Sequence, residues 1–167
     1  MYNVGDKVVY GESGVCRIVE ISEKNITGEN ELYYTMEPCY QGYMIYAPVE
    51  NCKVYMRPII SKDEAINLID DIPSIEEGAF QCHTLREQIE HYESLVKTHS
   101  LKDLFRLTTS IHNKKAEAQA AKRKLGAVDE KFMKRAEDLL FGELAMALDI
   151  PRADVSKFIE ERLGKIS

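Results

Sequence analysis

The sequence predicts an α+β protein in which a small five-stranded β module precedes an all-α bundle of about five helices. In the first 57 residues, short runs rich in Val, Ile and Tyr alternate with Gly, Asn and Asp, a pattern typical of strands joined by tight turns. From Ser61 onward, apolar residues recur at the three- and four-residue spacing of amphipathic helices. This change of period predicts two domains, residues 1–57 and residues 62–167.

The β module is built from short runs. The predicted strands are 7–10, 15–21, 32–37, 43–46 and 54–56. Segments 11–14 and 27–30 supply turns, because Gly and Asn adopt positive φ at little cost. Pro38 and Pro48 stand at strand ends, where a missing N–H costs least. Five short strands indicate a strongly bent sheet or a partly closed barrel of the Tudor/SH3 type. Such a sheet has little core of its own, so we expect it to dock on another surface.

The first two helices are separated by a connector. Ser61, with Glu64 three residues later, predicts a capping box at the start of the first helix, and Pro73 stops that helix. Residues 72–81 are predicted to be the connector. The face of the second helix that is expected to point inward consists of Leu85, Ile89, Tyr92 and Val96.

Three further helices follow. Ser100 is the predicted N-cap of the third helix, which we expect to run as far as Gly126. Pro151 suits the turn that leads into the last helix. The residues expected to face inward are Leu101, Leu104, Phe105, Thr108 and Ile111 in the third helix, Phe132, Ala136, Leu139, Leu140, Leu144 and Ala147 in the fourth, and Val155, Phe158, Ile159 and Leu163 in the fifth.

Charge is distributed unevenly along the chain. The net charge is −6, yet residues 97–135 hold eleven bases and four acids, a balance of +7 that leaves −13 for the rest. One module is therefore predicted to face a polyanion. Lys114, Lys115, Lys122 and Arg123 recur at steps of seven and eight, which predicts one side of a continuous helix. Lys131, Lys134 and Arg135 begin the next helix. A nucleic-acid contact and a merely solvated face both fit this pattern.

The sequence contains no recognisable catalytic constellation. It has no Gly-rich phosphate loop and no G-x-S-x-G motif, and the four histidines are eight, eight and thirteen residues apart, a spacing that does not bring them together on a helix. Among the four cysteines there is no C-x-x-C pair, so they are expected to be apolar fillers rather than metal ligands. We therefore expect no enzymatic activity, no cofactor and no metal.

Neither a membrane span nor a signal peptide is predicted. No apolar run approaches 18 residues, and the first residues, MYNVGDKVVYGESG, lack the apolar core of a signal peptide. The chain is therefore expected to be cytoplasmic.

Aromatic residues are concentrated between residues 32 and 54. The set is Tyr33, Tyr34, Tyr40, Tyr43 and Tyr46, with Met36 and Met44. Because only alternate positions of a strand face the core, some of these side chains must point outward. Tyrosine is favoured at protein interfaces, so the sequence predicts an aromatic docking surface beside an aromatic core.

Four segments in order resemble the CarD family of bacterial transcription regulators. They are V-G-D-K-V-V-Y-G-E-S-G-V at 4–15, I-T-G-E at 26–29, Y-A-P-V-E-N at 46–51 and L-L-F-G-E-L-A-M-A at 139–147. The resemblance implies a non-enzymatic adaptor whose Tudor-like module docks on the β subunit of RNA polymerase by a sheet-to-sheet contact. It also implies that the helical module touches promoter DNA at the upstream edge of the bubble and stabilises the open complex. The chain would then associate with the nucleoid through the polymerase.

The resemblance also assigns site residues. The polymerase-binding residues that it implies are Lys24, Ile26, Tyr43, Ile45 and Tyr46. Family members carry a Trp wedge at the start of the second C-terminal helix, but this chain contains no Trp and Thr84 aligns there. DNA contact is therefore expected to be mainly through phosphates. The predicted DNA-binding residues are Thr84, Arg86, Lys114, Lys115, Lys122, Arg123, Lys131, Lys134 and Arg135.

Two other functions are also compatible with the sequence. A free-standing DNA-binding repressor or nucleoid protein would bind promoter DNA tightly without polymerase, and an RNA-associated factor would retain RNA at high salt. The chain is expected to be monomeric, with domain-swapped pairing through the exposed sheet edge as the alternative.

Overall fold

The first half of the chain forms one antiparallel sheet. A computed structural model describes residues 1–164. The strands are β1 (Lys7–Tyr10), β2 (Val15–Lys24), β3 (Glu31–Pro38), β4 (Ile45–Pro48) and β5 (Met56–Pro58). They lie in the order β4-β3-β2-β1-β5, so β4 and β5 form the two edges. The predicted five-stranded module and α+β class are confirmed.

Pairing with neighbouring strands moves several predicted strand ends. β2 continues to Lys24, because the residues from Glu20 to Lys24 pair with β3 beyond an irregularity after Ile18. β4 begins at Ile45 rather than residue 43, since its ladder with β3 starts there, opposite Met36. β5 begins at Met56, two residues later than predicted, because its ladder with β1 starts there.

The loop between β1 and β2 contains a 3₁₀ helix, Gly11–Ser13, where a turn was predicted. Gly11 has φ +48°, and a Cβ atom at this position would lie 2.8 Å from Cγ1 of Val54. Gly14 has φ +78°. A side chain at Gly11 would therefore be both strained and crowded.

Five helices follow the sheet, as predicted. They are α1 (Lys62–Asp70), α2 (Leu85–Val96), α3 (Leu101–Ala120), α4 (Ala127–Leu148) and α5 (Val155–Gly164), with short 3₁₀ helices at Ile72–Ser74 and Arg152–Asp154. The predicted capping box is confirmed: the Glu64 N–H donates to the Ser61 hydroxyl, and the Ser61 N–H donates to the Glu64 carboxylate. Ser100 caps α3 as predicted. Residues 165–167 of the predicted second domain lie outside the described residues.

The third helix is shorter than predicted. It ends at Ala120, because Lys122 adopts the left-handed conformation with φ 56°. The N–H of Lys122 then donates to the carbonyl of Gln119, and the N–H of Arg123 donates to that of Ala118. These bonds satisfy the last carbonyls of the helix and reverse the chain, a role usually taken by Gly.

The prediction that Leu85 faces inward is wrong. Its side chain is 60% exposed at the first residue of α2. The buried positions of α2 are Gln88, Tyr92, Leu95 and Val96. Gln88 takes an inward position because it hydrogen-bonds Asp129 of α4, a partner distant in sequence. The core of the bundle surrounds α4 and includes Leu107, Ile111, Leu140 and Leu144.

Contacts between the sheet and α4 hold the two modules together. Arg57 of β5 forms a salt bridge with Glu143 of α4. The Tyr40 hydroxyl donates to the Gly142 carbonyl over 3.1 Å, and the Tyr40 ring lies 3.1 Å from the place of a Cβ at Gly142. A side chain at Gly142 would therefore make a tight contact that the tyrosine ring could relieve only by shifting a few tenths of an ångström. The sheet therefore packs against α4 of the bundle through specific contacts.

Within residues 1–164, no helix combines the length and apolarity needed to cross a membrane.

Candidate functional site

The exposed edge of the sheet carries most of the predicted docking residues. β4 is an edge strand, and no other strand of the described residues pairs with its outer side. Tyr46 in its middle is 51% exposed, and Nζ of Lys24 lies 5.1 Å from the centre of its ring. A cation at this distance from an aromatic face is attracted to it, so the two side chains form one unit. Lys24 also lies 4.0 Å from the Glu20 carboxylate.

Three further exposed apolar side chains lie in loops of the sheet, Ile26 between β2 and β3, and Tyr43 and Met44 just before β4. Ile26 is 55% exposed, Tyr43 51% and Met44 46%. Met44 was not among the predicted docking residues, although its place in the aromatic segment is visible in the sequence. We call the group Lys24, Ile26, Tyr43, Met44 and Tyr46 the β4-edge surface.

Ile45 differs from the other predicted docking residues. Its side chain packs against the core of the sheet, because strand alternation places it on the opposite face from Tyr46. Ile45 therefore presents only its backbone at the edge. On the outer face, Tyr46 pairs with Thr35, whose hydroxyl oxygen is buried and has no hydrogen-bond partner.

The predicted DNA-binding residues fall into two groups. Four of them are engaged within the protein: Thr84, Arg86, Lys114 and Arg135. Nζ of Lys114 lies 2.9 Å from the buried carboxylate of Asp129, and Arg135 pairs with Glu12 and Glu93. The Thr84 hydroxyl accepts the N–H of Glu87 as the N-cap of α2.

A second group is exposed and unpaired. Five of the predicted residues have exposed side chains and form no salt bridge with another described residue: Lys115, Lys122, Arg123, Lys131 and Lys134. Lys124 shares this environment and was missed, although it completes the run that starts at Lys122. We call these six residues the cationic corner. Arg86 is also exposed, but it pairs with Glu90 over 3.0 Å.

The predicted single stripe of cations on one helix is wrong. Lys115 lies on α3, whereas Lys122 and Arg123 lie beyond its end at Ala120. The chain reversal, rather than helical periodicity, brings these residues toward α4. Lys131 and Lys134 follow on the first turns of α4.

Asp129 is a buried carboxylate that sequence reasoning did not single out. It is 2% exposed and accepts hydrogen bonds from Nε2 of Gln88 and the hydroxyl of Tyr92, both at 2.6 Å. Lys114 supplies the balancing charge. Burial, followed by the hydrogen bond to Asp129, raises the pKa of Tyr92 well above its ordinary value. Asp129 thus joins α2, α3 and α4 beside the cationic corner.

Comparison with known families identifies the first module. Residues 2–60 match the model of the CarD-like/TRCF RID domain. The N-terminal module is therefore similar to a CarD-like/TRCF RID domain, and we call residues 2–60 the RID domain after this match. This match supports an RNA polymerase-interacting transcription factor. The RID domain holds the whole sheet and therefore the β4-edge surface.

Histidine, cysteine and acidic side chains are the groups that could hold a metal or act as a nucleophile. Among residues 1–164, no group of three or more His, Cys, Asp or Glu side chains is placed to hold a metal ion. His91 and His99 are each stacked on an aromatic ring, that of Phe80 and of Tyr55 respectively. The cysteines are free, and burial raises the pKa of the Cys16 thiol to about 12. Such a thiol is a poor nucleophile.

Proposed function

We propose that this protein is a non-enzymatic adaptor that docks on the β subunit of RNA polymerase and contacts promoter DNA near the upstream edge of the bubble. The RID domain would bind the polymerase through the β4-edge surface, and the helical module would bind DNA through the cationic corner. Together the two contacts would stabilise the open complex. The observation that carries the proposal is the RID domain match combined with an exposed, unpaired edge strand in that domain.

The character of the β4 edge supports a sheet-to-sheet contact. An unpaired edge offers a row of backbone donors and acceptors to another strand. Tyr46 adds exposed aromatic area on the strand, and Lys24 beside it adds a positive charge. An exposed aromatic beside a strand edge is the combination that gives such contacts both affinity and register.

The charge of the helical module supports the DNA contact. The cationic corner concentrates six unpaired bases in a chain whose net charge is −6. Phosphate contacts position a protein on DNA without reading sequence. Weak binding to free DNA, strengthened by docking on polymerase, follows from this charge balance.

Leu85 adds an apolar element to this proposed DNA contact. Leu85 is the only large apolar residue within residues 61–164 whose surface is largely exposed. Arg86 beside it is exposed as well. Leu85 lies next to Thr84, the position that aligns with the family's wedge. Apolar side chains can insert at unstacked base steps, so we assign Leu85 to the bubble edge.

A binding measurement with a polymerase β-subunit lobe fragment tests the docking half. We expect micromolar affinity from the unmodified chain and loss of binding from a Lys24→Glu, Tyr46→Ala double variant. Lys53→Glu, which changes an exposed lysine elsewhere in the RID domain, is the matched control and should bind normally. No binding by the unmodified chain would reject the docking proposal and favour a free-standing DNA-binding protein.

A further inference from the structure

A groove between α3 and α4 joins four residues of the cationic corner to an apolar half that the proposed function does not use. It consists of two hollows of about 500 Å³ and about 360 Å³ that share His112, Met133 and Glu137. None of the lining residues belongs to the RID domain. The groove therefore stays open when the β4-edge surface is occupied.

The two ends of the groove differ in chemistry. The end near the chain reversal after α3 is lined by four cations, Lys115, Arg123, Lys124 and Lys134, together with two acids, Glu130 and the shared Glu137. The end near α5 has an apolar floor that includes Phe105, Leu140, Phe141 and Ile159. No Lys or Arg lines this second end, whereas Glu137 and Glu160 do. Charge and apolar area are thus separated along one groove.

The dimensions suit a short segment of polypeptide. From Glu130 to Phe141 the groove follows eleven residues of α4, which is ~16 Å at 1.5 Å per residue. A helix of about three turns has this length, and an amphipathic helix in a groove is a common recognition mode.

Nucleic acid fits the groove less well. A strand with one phosphate per 3.4 Å would place about five phosphates along ~16 Å. Those at the α5 end would face Glu160, and no Lys or Arg lines that end. A partner whose negative charge is confined to one end avoids this repulsion.

We propose that the groove docks a helical segment of a protein partner that is apolar at one end and acidic at the other. The apolar end would cover Phe141 and Ile159, and the acidic end would lie against Lys115 and Lys124. The segment would bind while the RID domain is engaged elsewhere, and it would compete with DNA for the cations that the groove shares with the cationic corner, among them Lys115 and Lys124.

Selection from a random library of displayed peptides on the full chain tests this proposal. Peptides of about 12 residues are long enough, since they span ~18 Å as a helix. We expect enriched peptides to combine aromatic or aliphatic residues at one end with Asp or Glu at the other. No enrichment, or enrichment without this polarity, would overturn the proposal.

Variants of the chain then locate the bound peptide. Ser156→Glu places a charge at the exposed rim of the apolar end, and Lys115→Glu with Lys124→Glu reverses the other end. Both changes should weaken the peptide about tenfold or more, which corresponds to ~1.4 kcal/mol. Lys102→Glu, on the exposed surface of α3 outside the groove, should leave the affinity unchanged.

Single-stranded DNA distinguishes this proposal from the DNA-binding one. Ser156→Glu should leave DNA and polymerase binding intact, because it lies outside the cationic corner and the RID domain. The groove would not be a peptide site if Ser156→Glu weakened the binding of labelled DNA. The same would follow if neither groove variant weakened the binding of the peptide. Loss of polymerase binding would bear only on the proposed function.

Discussion

Arg57 and Glu143 form a two-pronged ion pair that joins the RID domain to α4. Nη1 and Nη2 of Arg57 lie 2.6 Å and 2.7 Å from the two oxygens of Glu143, which is 2% exposed. The backbone N–H of Ile60 donates to the same carboxylate, and Arg57 also donates to the carbonyl of His99. Burial alone would lower the pKa of Arg57, but the hydrogen bonds and charge of Glu143 outweigh it and raise that pKa. The pair therefore fixes the angle between the docking edge and the cationic corner.

Removal of this carboxylate should strongly destabilise the protein. Glu143→Ala leaves a largely buried guanidinium without a negative charge to balance it, which costs about 3–5 kcal/mol. Urea denaturation followed by circular dichroism measures the loss. Glu37→Ala, which removes one partner of an exposed pair with Arg17, is the control and should cost ~0–1 kcal/mol. Equal losses in the two variants would contradict the assignment of Arg57 and Glu143 as the lock between the modules.

The salt dependence of DNA binding should separate free cations from paired ones. Lys131→Ala and Lys134→Ala should each flatten the log–log salt slope by about 0.9, the value for one phosphate contact. Lys114→Met should leave the slope unchanged, because this lysine is already paired with Asp129. Fluorescence anisotropy with a promoter fragment at several salt concentrations provides the measurement. If Lys114→Met changed the salt slope and Lys131→Ala did not, the DNA would not bind at the cationic corner.

The left-handed residue after α3 offers a stabilising substitution. Lys122 has φ 56°, a conformation that costs a non-glycine residue about 1–2 kcal/mol. Lys122→Gly removes this cost but makes the unfolded chain more flexible, so we expect a net gain of up to ~1 kcal/mol. Thermal unfolding provides the test, with Lys115→Gly, within α3, as a control that should destabilise. A lower melting temperature for Lys122→Gly would show that the side chain has a structural role at the reversal.

Stability should fall on the acidic side of neutrality partly because of His91. Burial lowers the pKa of this histidine, which stacks on Phe80 near Glu77 and Arg106. Its unfolded pKa is about 6.5, so the unfolded chain binds the proton more readily. The stability that neutral His91 contributes is present above about pH 6.5 and is lost as the pH falls through its folded pKa.

His91→Phe keeps the stack and removes the titration. As the pH is lowered from about 7.5 to about 5, the free energy of unfolding of the His91→Phe variant should therefore decrease less than that of the unmodified chain. Urea denaturation at each pH gives the two curves. Parallel curves would show that His91 is equally easy to protonate in both states.

Local signals predicted the elements of this fold well. The capping box at Ser61, the N-cap at Ser100 and the strand runs depend on neighbours in sequence, and they appear where the pattern placed them. Tyr46 owes its exposure on β4 to strand alternation, which also explains why Ile45 faces the core.

Contacts between distant residues escaped prediction. The partners Arg57 and Glu143 are 86 positions apart. Lys114 was expected to be free to contact DNA, but it is paired with Asp129 in another helix. The spacing of apolar and charged residues along the sequence does not reveal which distant residues form such pairs. The end of α3 was missed because the left-handed residue is Lys122 rather than a glycine.

The lifetime of the open complex tests the central claim most directly. Open complexes formed on a promoter are challenged with a competitor, with and without the unmodified chain, and their decay is followed. The account predicts that the unmodified chain prolongs the lifetime, that the Lys24→Glu, Tyr46→Ala variant has no effect, and that Lys131→Ala with Lys134→Ala retains only part of it. A docking variant that prolongs the lifetime as much as the unmodified chain would contradict the proposed adaptor.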